Sequence, residues 1–166
     1  FDVIRIGLSA TDQLYFASGS LNLPGAMFTA SHNPAEYNGI KLCLSGARPI
    51  GKESGLLVIE KFVREGVPIS ARALGKESQR DMLEDYVEHL LGLVALSDIR
   101  KLKIVVDAGN GMAGHTAPAV FKRINVEVTE MYYELDGTFP NHEANPIDEE
   151  NLKDLKKFII NNAGSK

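Results

Sequence analysis

The stretch from Leu102 to Tyr132, LKIVVDAGNGMAGHTAPAVFKRINVEVTEMY, constrains the fold more than any other part of the 166-residue chain. LKIVVDA (102–108) is a short apolar run rich in β-branched residues, and it stops at glycines. This is the pattern of a buried strand. GNGMAG (109–114) then reads as a tight turn, HTAPAVFKRI (115–124) as a short helix and VEVTEMY (126–132) as a second strand. A strand, a helix and a strand in such close succession form one βαβ unit, whose crossover leaves the two strands parallel. The expected class is therefore α/β.

Upstream the pattern is different. DVIRIG (2–7) reads as a strand, followed by a helix in SATDQLYFASGSL (9–21) with Thr11 as N-cap and Asp12 in the first turn. GAMFTA (25–30) and GIKLCLS (39–45) are two further strands. GKESGLLVIEKFVREG (51–66) places Leu57, Val58, Phe62 and Val63 at helical spacing, with Gly66 where a C-cap glycine belongs. VPISARALGKE (67–77) is loop-like. SQRDMLEDYVEHLLGLVAL (78–96) reads as a helix capped by Ser78, with one apolar stripe through Met82, Leu83, Tyr86, Val87, Leu90, Leu91 and Val94. DEENLKDLKKFII (148–160) is an amphipathic helix whose acids come first and lysines later, as the helix dipole favours. The expectation is an α/β protein of mixed sheets sandwiched by helices, in two pieces, 1–96 and 97–166, joined near Leu96–Asp98. No internal repeat is evident.

Composition narrows the function classes. A net charge of −4, with lysines and arginines scattered along the chain, argues against nucleic acid as a partner, because that binding draws on a basic face. No apolar run approaches the roughly 18 residues of a membrane span. The opening Phe1-Asp2 carries neither a basic nor an apolar leader pattern, so no signal peptide is expected. Cys43 is the single cysteine, which excludes an internal disulfide and suits a reducing, cytoplasmic setting. It reads as a small buried residue.

The segment FTASHNPAEYNGIKL (28–42) gathers Ser31, His32 and Asn33 in one turn, closes them with Pro34 and returns with Lys41. A serine hydroxyl is a poor nucleophile unless a base removes its proton or it already carries a transferable group. The G-x-S-x-G elbow of hydrolases is absent, because Thr29 and Asn33 occupy the glycine positions. Phosphoryl transfer asks for a seryl oxygen, donors for phosphate oxygens, a cation and a group to handle a hydroxyl proton. Ser31, His32, Asn33, turn amides and Lys41 supply most of these. Pro34 restricts Asn33 to extended backbone, and Asn38-Gly39 suit a tight turn. Residue types alone leave open a plain polar surface turn with an incidental lysine.

The string T-A-S-H-N-P-x-x-Y-N-G-x-K, from Thr29 to Lys41, resembles the active-site serine loop of the phosphomannomutase/phosphoglucomutase group of the α-D-phosphohexomutases. The resemblance continues in family order through GLSATDQLYFA (7–17), RDMLEDYVEHL (80–90), VVDAGNGMAG (105–114) and DGTFPNHEANP (136–146). Asp12 departs from it, standing where many members have proline. The resemblance implies that Ser31 is phosphorylated in the resting enzyme and exchanges its phosphoryl with hexose 1- and 6-phosphates through a hexose 1,6-bisphosphate. It implies further that His32 and Asn33 line the phosphoserine and that Lys41 is the general acid/base. Mg²⁺ would bind through the Ser31 phosphate together with an acidic D-G-D-x-D-R loop that this sequence lacks. An N-terminal phosphate-binding arginine, the G-E-x-S-G-H sugar loop and a C-terminal phosphate-binding domain are also missing. The chain thus resembles the later part of domain 1 followed by the early part of domain 2. T-A-S-H-N-P, rather than S-A-S-H-N-P, favours mannose or glucose phosphates over glucosamine phosphate.

Two other functional readings compete. GNGMAG fits G-x-G-x-x-G between a strand and a helix, with Glu130 near the place of a ribose-binding acid, so a dinucleotide-binding module is the main rival. A non-catalytic relative that only binds sugar phosphates or a partner protein is the other, motivated by the missing acidic loop. His142 and Glu143 lack a third ligand and are assigned to a surface loop rather than a metal site. His89 is assigned to a solvated helix face and His115 to a polar helix start.

Overall fold

The parallel crossover expected of residues 102–132 is present in the computed structural model, which describes residues 1–67, 73–94, 96 and 99–162. In chain order the elements are β1 (Val3–Arg5), α1 (Thr11–Leu21), β2 (Gly25–Phe28), β3 (Ile40–Leu44), β4 (Arg48–Pro49), α2 (Leu57–Glu65), β5 (Glu77–Gln79), α3 (Leu83–Leu93), β6 (Leu102–Asp107), α4 (Ala113–Phe121), β7 (Val126–Met131) and α5 (Lys153–Asn162). Strands β6 and β7 pair in parallel from Leu102↔Val126 to Asp107↔Met131. Strands β2, β3 and β4 form an antiparallel sheet, and β1 pairs in parallel with β5. The fold is mixed α/β, as the residue pattern implies.

The core of the first part lies between α1 and the antiparallel sheet. Leu14, Ala17 and Cys43 are buried there, and Met82, Tyr86 and Val87 at the start of α3 are buried as well. Gly25 permits the approach, since a Cβ at that position would meet Leu14 Cδ1 at 2.7 Å and Cys43 Sγ at 3.0 Å. The opposite face of this sheet carries the cross-strand pair Phe28 and Ile40, both exposed. The expected apolar residues of α2, Leu57, Val58, Phe62 and Val63, are exposed as well. Phe16 on α1 stacks against Tyr86 of α3 at 5.7 Å, and Lys122–Glu84 and Arg123–Glu88 ion pairs tie α4 to α3. Those pairs are exposed, so each contributes at most about 1 kcal/mol.

Two local expectations need correction. Thr11 is the first helical residue rather than the N-cap; Ala10 holds that place, and its N–H donates to Gln13 Oε1 at 2.8 Å. The third helix starts at Leu83, not near Ser78. Glu77–Gln79 run as a strand along β1, with Val3 N–H donating to Lys76 O and Arg80 N–H to Arg5 O, and Asp81 Oδ1 accepts the Leu83 N–H. The physical reason is non-local: β1 offers unpaired backbone groups, and residues 77–79 satisfy them better as a strand than as a solvated helical turn. The expected junction near Leu96–Asp98 falls largely outside the described residues. No helix among those described is long and apolar enough to cross a membrane.

Candidate functional site

Strands β2 and β3 hold the serine turn at its neck. Thr29 N–H donates to Gly39 O at 2.9 Å, and a Cβ on Gly39 would lie 2.7 Å from Thr29 O, so only glycine fits there. Within the turn, Ser31 N–H donates to Thr29 Oγ1 at 2.9 Å, and both the Asn33 N–H and its side-chain amide donate to Ala30 O. Ser31 itself is left-handed, with φ of 59°. That conformation costs a non-glycine residue about 1–2 kcal/mol and persists only where surrounding contacts impose it. The consequence is an exposed hydroxyl at the tip of a braced turn, with Ser31 Oγ 3.2 Å from His32 Nδ1.

His32 makes no other hydrogen bond among the described residues, so the third member that would orient a hydrolytic base is lacking. Asn33 points its amide inward to Ala30 O; it stiffens the turn in addition to any phosphate contact. Lys41 sits opposite Met27 across the ladder, with Thr29 and Gly39 the next pair on that face. Met27 and Thr29 line the cleft beside Ser31, whereas Lys41 is set back from its lining.

That cleft, about 660 Å³, brings together segments far apart in sequence. One wall is the serine turn with Leu8–Thr11. The other is the glycine turn 108–112 with Leu135–Gly137, Phe139, Ala144 and Pro146. The second wall is strongly braced. Asn110 is 6% exposed; its N–H donates to Tyr132 O, its side-chain amide to Glu134 O, and its Oδ1 accepts from Asn141. Its carbonyl accepts the Asp136 N–H.

Two of the three glycines of GNGMAG, Gly109 and Gly114, are consumed by packing within the chain. Gly109 has φ of +52° and lies under the His142 ring, and a Cβ on Gly114 would come within 2.0 Å of Tyr133 O. In a dinucleotide fold these glycines give room for a pyrophosphate and for packing of the helix on the strand. Here the imidazole covers the first, which weighs against the dinucleotide reading.

His142 is a correction. The loop assigned to the surface carries a mostly buried ring whose Nε2 lies 3.1 and 3.2 Å from the two Asp107 oxygens and whose Nδ1 lies 2.9 Å from Glu143 O. Burial pulls its pKa down, but the Glu143 carbonyl and the Asp107 carboxylate, with Asp154 beyond, pull it up further; the net shift is upward. Sequence reasoning missed Asp107, Asn110 and His142 as one unit, because their separation along the chain hides the contact. The available signals were a carboxylate ending a buried strand and a histidine just after the FPN turn.

Among the described residues no group of three or more His, Cys, Asp or Glu side chains converges as a site. Asp136 is the only carboxylate among the described residues that line the cleft. Its Oδ1 is taken by the Thr138 N–H and hydroxyl, which hold its pKa below the usual range. The described residues do not make up the magnesium site that the resemblance implies.

The sequence matches the family model for phosphoglucomutase/phosphomannomutase α/β/α domain I over residues 1–66 and that for domain II over residues 84–165. The chain belongs to the phosphoglucomutase/phosphomannomutase family. A phosphomannomutase of Salmonella typhimurium is 38% identical, the match covering 96% of this chain and 37% of that protein. A phosphoglucomutase of Neisseria meningitidis is also 38% identical, over 96% of this chain and 34% of its own length. The crystal structure of a phosphoglucomutase/phosphomannomutase family protein from Burkholderia thailandensis superposes with a TM-score of 0.80 at 35% identity, over 95% of this chain and 35% of that one. The chain thus spans little more than a third of the length of these curated relatives.

Proposed function

We propose that this chain carries the phosphoserine half of a phosphohexomutase that interconverts the 1- and 6-phosphates of glucose, mannose or both. The supporting observation is the Ser31 hydroxyl, held in a left-handed turn 3.2 Å from His32 Nδ1 at the mouth of a cleft, in a chain whose relatives bear the names phosphomannomutase and phosphoglucomutase. In the proposed reaction the bond from the Ser31 oxygen to phosphorus breaks as a sugar hydroxyl oxygen bonds to that phosphorus. The hydroxyl proton passes to Lys41. The bisphosphate turns over in the cleft, and its other phosphoryl returns to Ser31 as Lys41 gives the proton back. His32 donates to the phosphoryl oxygens, and Asn33 keeps the turn rigid. Residues 1–96 serve as the later part of a first domain and 97–166 as the early part of a second.

The test is phosphosite mapping of the intact protein after exposure to glucose 1,6-bisphosphate, paired with a coupled assay of glucose 6-phosphate formation from glucose 1-phosphate, and likewise for mannose. One phosphoryl on the peptide containing Ser31, with turnover, is the expected result. Phosphate on another residue, or none, rejects the assignment. Turnover in the intact protein also excludes a purely binding role. Lys41→Met should lower turnover by about 10²- to 10⁴-fold, the range for a lost proton-transfer group, while the unfolding midpoint stays near that of the parent because the Lys41 side chain makes no ion pair or hydrogen bond among the described residues. Wild-type turnover in that variant would remove Lys41 from its role.

A further inference from the structure

The second wall of the cleft depends on a contact that demands a proton. His142 Nε2 faces the two oxygens of Asp107, and Nδ1 faces the Glu143 carbonyl. A carboxylate and a carbonyl only accept, so both bonds exist together only when both ring nitrogens carry hydrogen; a neutral ring must abandon one of them. Asp107 is held from the glycine turn as well, its Oδ1 accepting the Gly109 N–H at 2.9 Å. Its side chain is 7% exposed, and a buried carboxylate stripped of its partner is strongly unfavourable.

Among the described residues the charged neighbours of the ring are of one sign. From β6 comes Asp107, from the residue after β7 comes Tyr132, whose ring meets the imidazole edge-on at 5.6 Å, and from α5 comes Asp154, which accepts the Tyr132 hydroxyl at 2.7 Å. The charged groups acting on the ring, Asp107 and Asp154, are both acidic. The ring also lies directly over Gly109, where even a Cβ would approach it to 3.0 Å. The imidazole therefore touches both segments of the second wall: the glycine turn through Asp107 and Gly109, and the 136–146 loop through its own backbone.

We infer that His142 is a positioning residue that works as an imidazolium brace, fastening the 136–146 loop to the end of β6 and so setting the wall of the cleft that faces Ser31. The catalytic consequence rests on the phosphohexomutase reading; the brace itself does not. Because the partners raise the folded-state pKa above its ordinary value, the brace is complete below about pH 6.5 and is lost as pH rises through the folded value.

The test is an NMR titration of the His142 ring in this chain, with the backbone amides of Gly109, Asn110 and Phe139 followed in the same spectra. The expected ring midpoint lies above about 6.5, the three amides shift with that same midpoint, and in Asp107→Asn the midpoint falls below the parent value. A ring that titrates at or below the ordinary value, or amides that ignore it, overturns the brace. In the intact protein, kcat should fall as pH rises through that midpoint with KM changed less, and His142→Gln should lower kcat by about tenfold or more, as misplaced groups do, and flatten this limb of the profile. An active enzyme whose kcat shows no such limb overturns the positioning role. Absence of hexose phosphate turnover at every pH, alongside the expected titration, would support the brace and reject the mutase reading.

Discussion

Ser31→Ala in the intact protein is expected to abolish phosphoryl uptake and to lower mutase turnover by at least about 10³-fold, the scale on which removal of a nucleophile acts. The substitution removes one oxygen from an exposed side chain whose only polar contact among the described residues is His32 Nδ1 at 3.2 Å. The bonds that shape the turn run through backbone and neighbours: Ser31 N–H to Thr29 Oγ1, Asn33 to Ala30 O and Thr29 N–H to Gly39 O. All of them survive the change. Alanine is left with the same left-handed strain that serine bears, so stability should alter by less than about 1 kcal/mol. Activity and fold therefore separate cleanly. A coupled turnover assay beside a thermal melt decides the matter, and turnover within tenfold of the parent would refute Ser31 as the phosphoryl carrier.

Gly114→Ala is expected to be among the most destabilising single substitutions in the chain, costing about 3–5 kcal/mol or preventing folding. An added Cβ would lie 2.0 Å from Tyr133 O, 2.8 Å from Tyr133 C and 3.0 Å from Tyr133 Cα. These are backbone atoms that no rotamer change can move aside. The segment that carries them is fixed by the Tyr132 and Glu134 carbonyls, which accept from the Asn110 backbone and side chain. Helix α4 would have to withdraw from its strand, opening the βαβ unit and the cleft wall together. Ordinary helix propensity predicts the reverse sign, since alanine is better than glycine by about 0.5–1 kcal/mol in a helix interior. Gly92→Ala is the matched control: Gly92 lies in α3 with open space around its missing Cβ, so it should gain up to about 1 kcal/mol. Urea denaturation of the two variants measures both signs, and a Gly114→Ala protein as stable as the parent would contradict the packing described here.

Local pattern carried much of the architecture. The apolar β-branched run at 102–107 and the alternation at 126–131 could satisfy their backbone groups only as strands beside each other, and the short segment between them leaves a parallel crossover as the route. The contiguous string from Thr29 to Lys41 likewise states its shape locally, because Pro34, Gly39 and the flanking strands form the turn without help from distant residues. The family itself was legible from such strings taken in order.

What the sequence by itself determined about this protein was therefore the identity of its local elements and of the serine turn. Only the tertiary structure decided that Glu77–Gln79 is a strand, because the partner that makes it one, β1, lies far away along the chain, Val3 pairing with Glu77. Only it decided that His142 is a braced, mostly buried ring rather than a surface residue, and that Gly109 and Gly114 of GNGMAG are filled from within. A hydrogen bond between residues 35 apart, such as His142 to Asp107, leaves no periodicity in the chain. Its energy comes from burial and pairing of charges that meet only after the βαβ unit has closed.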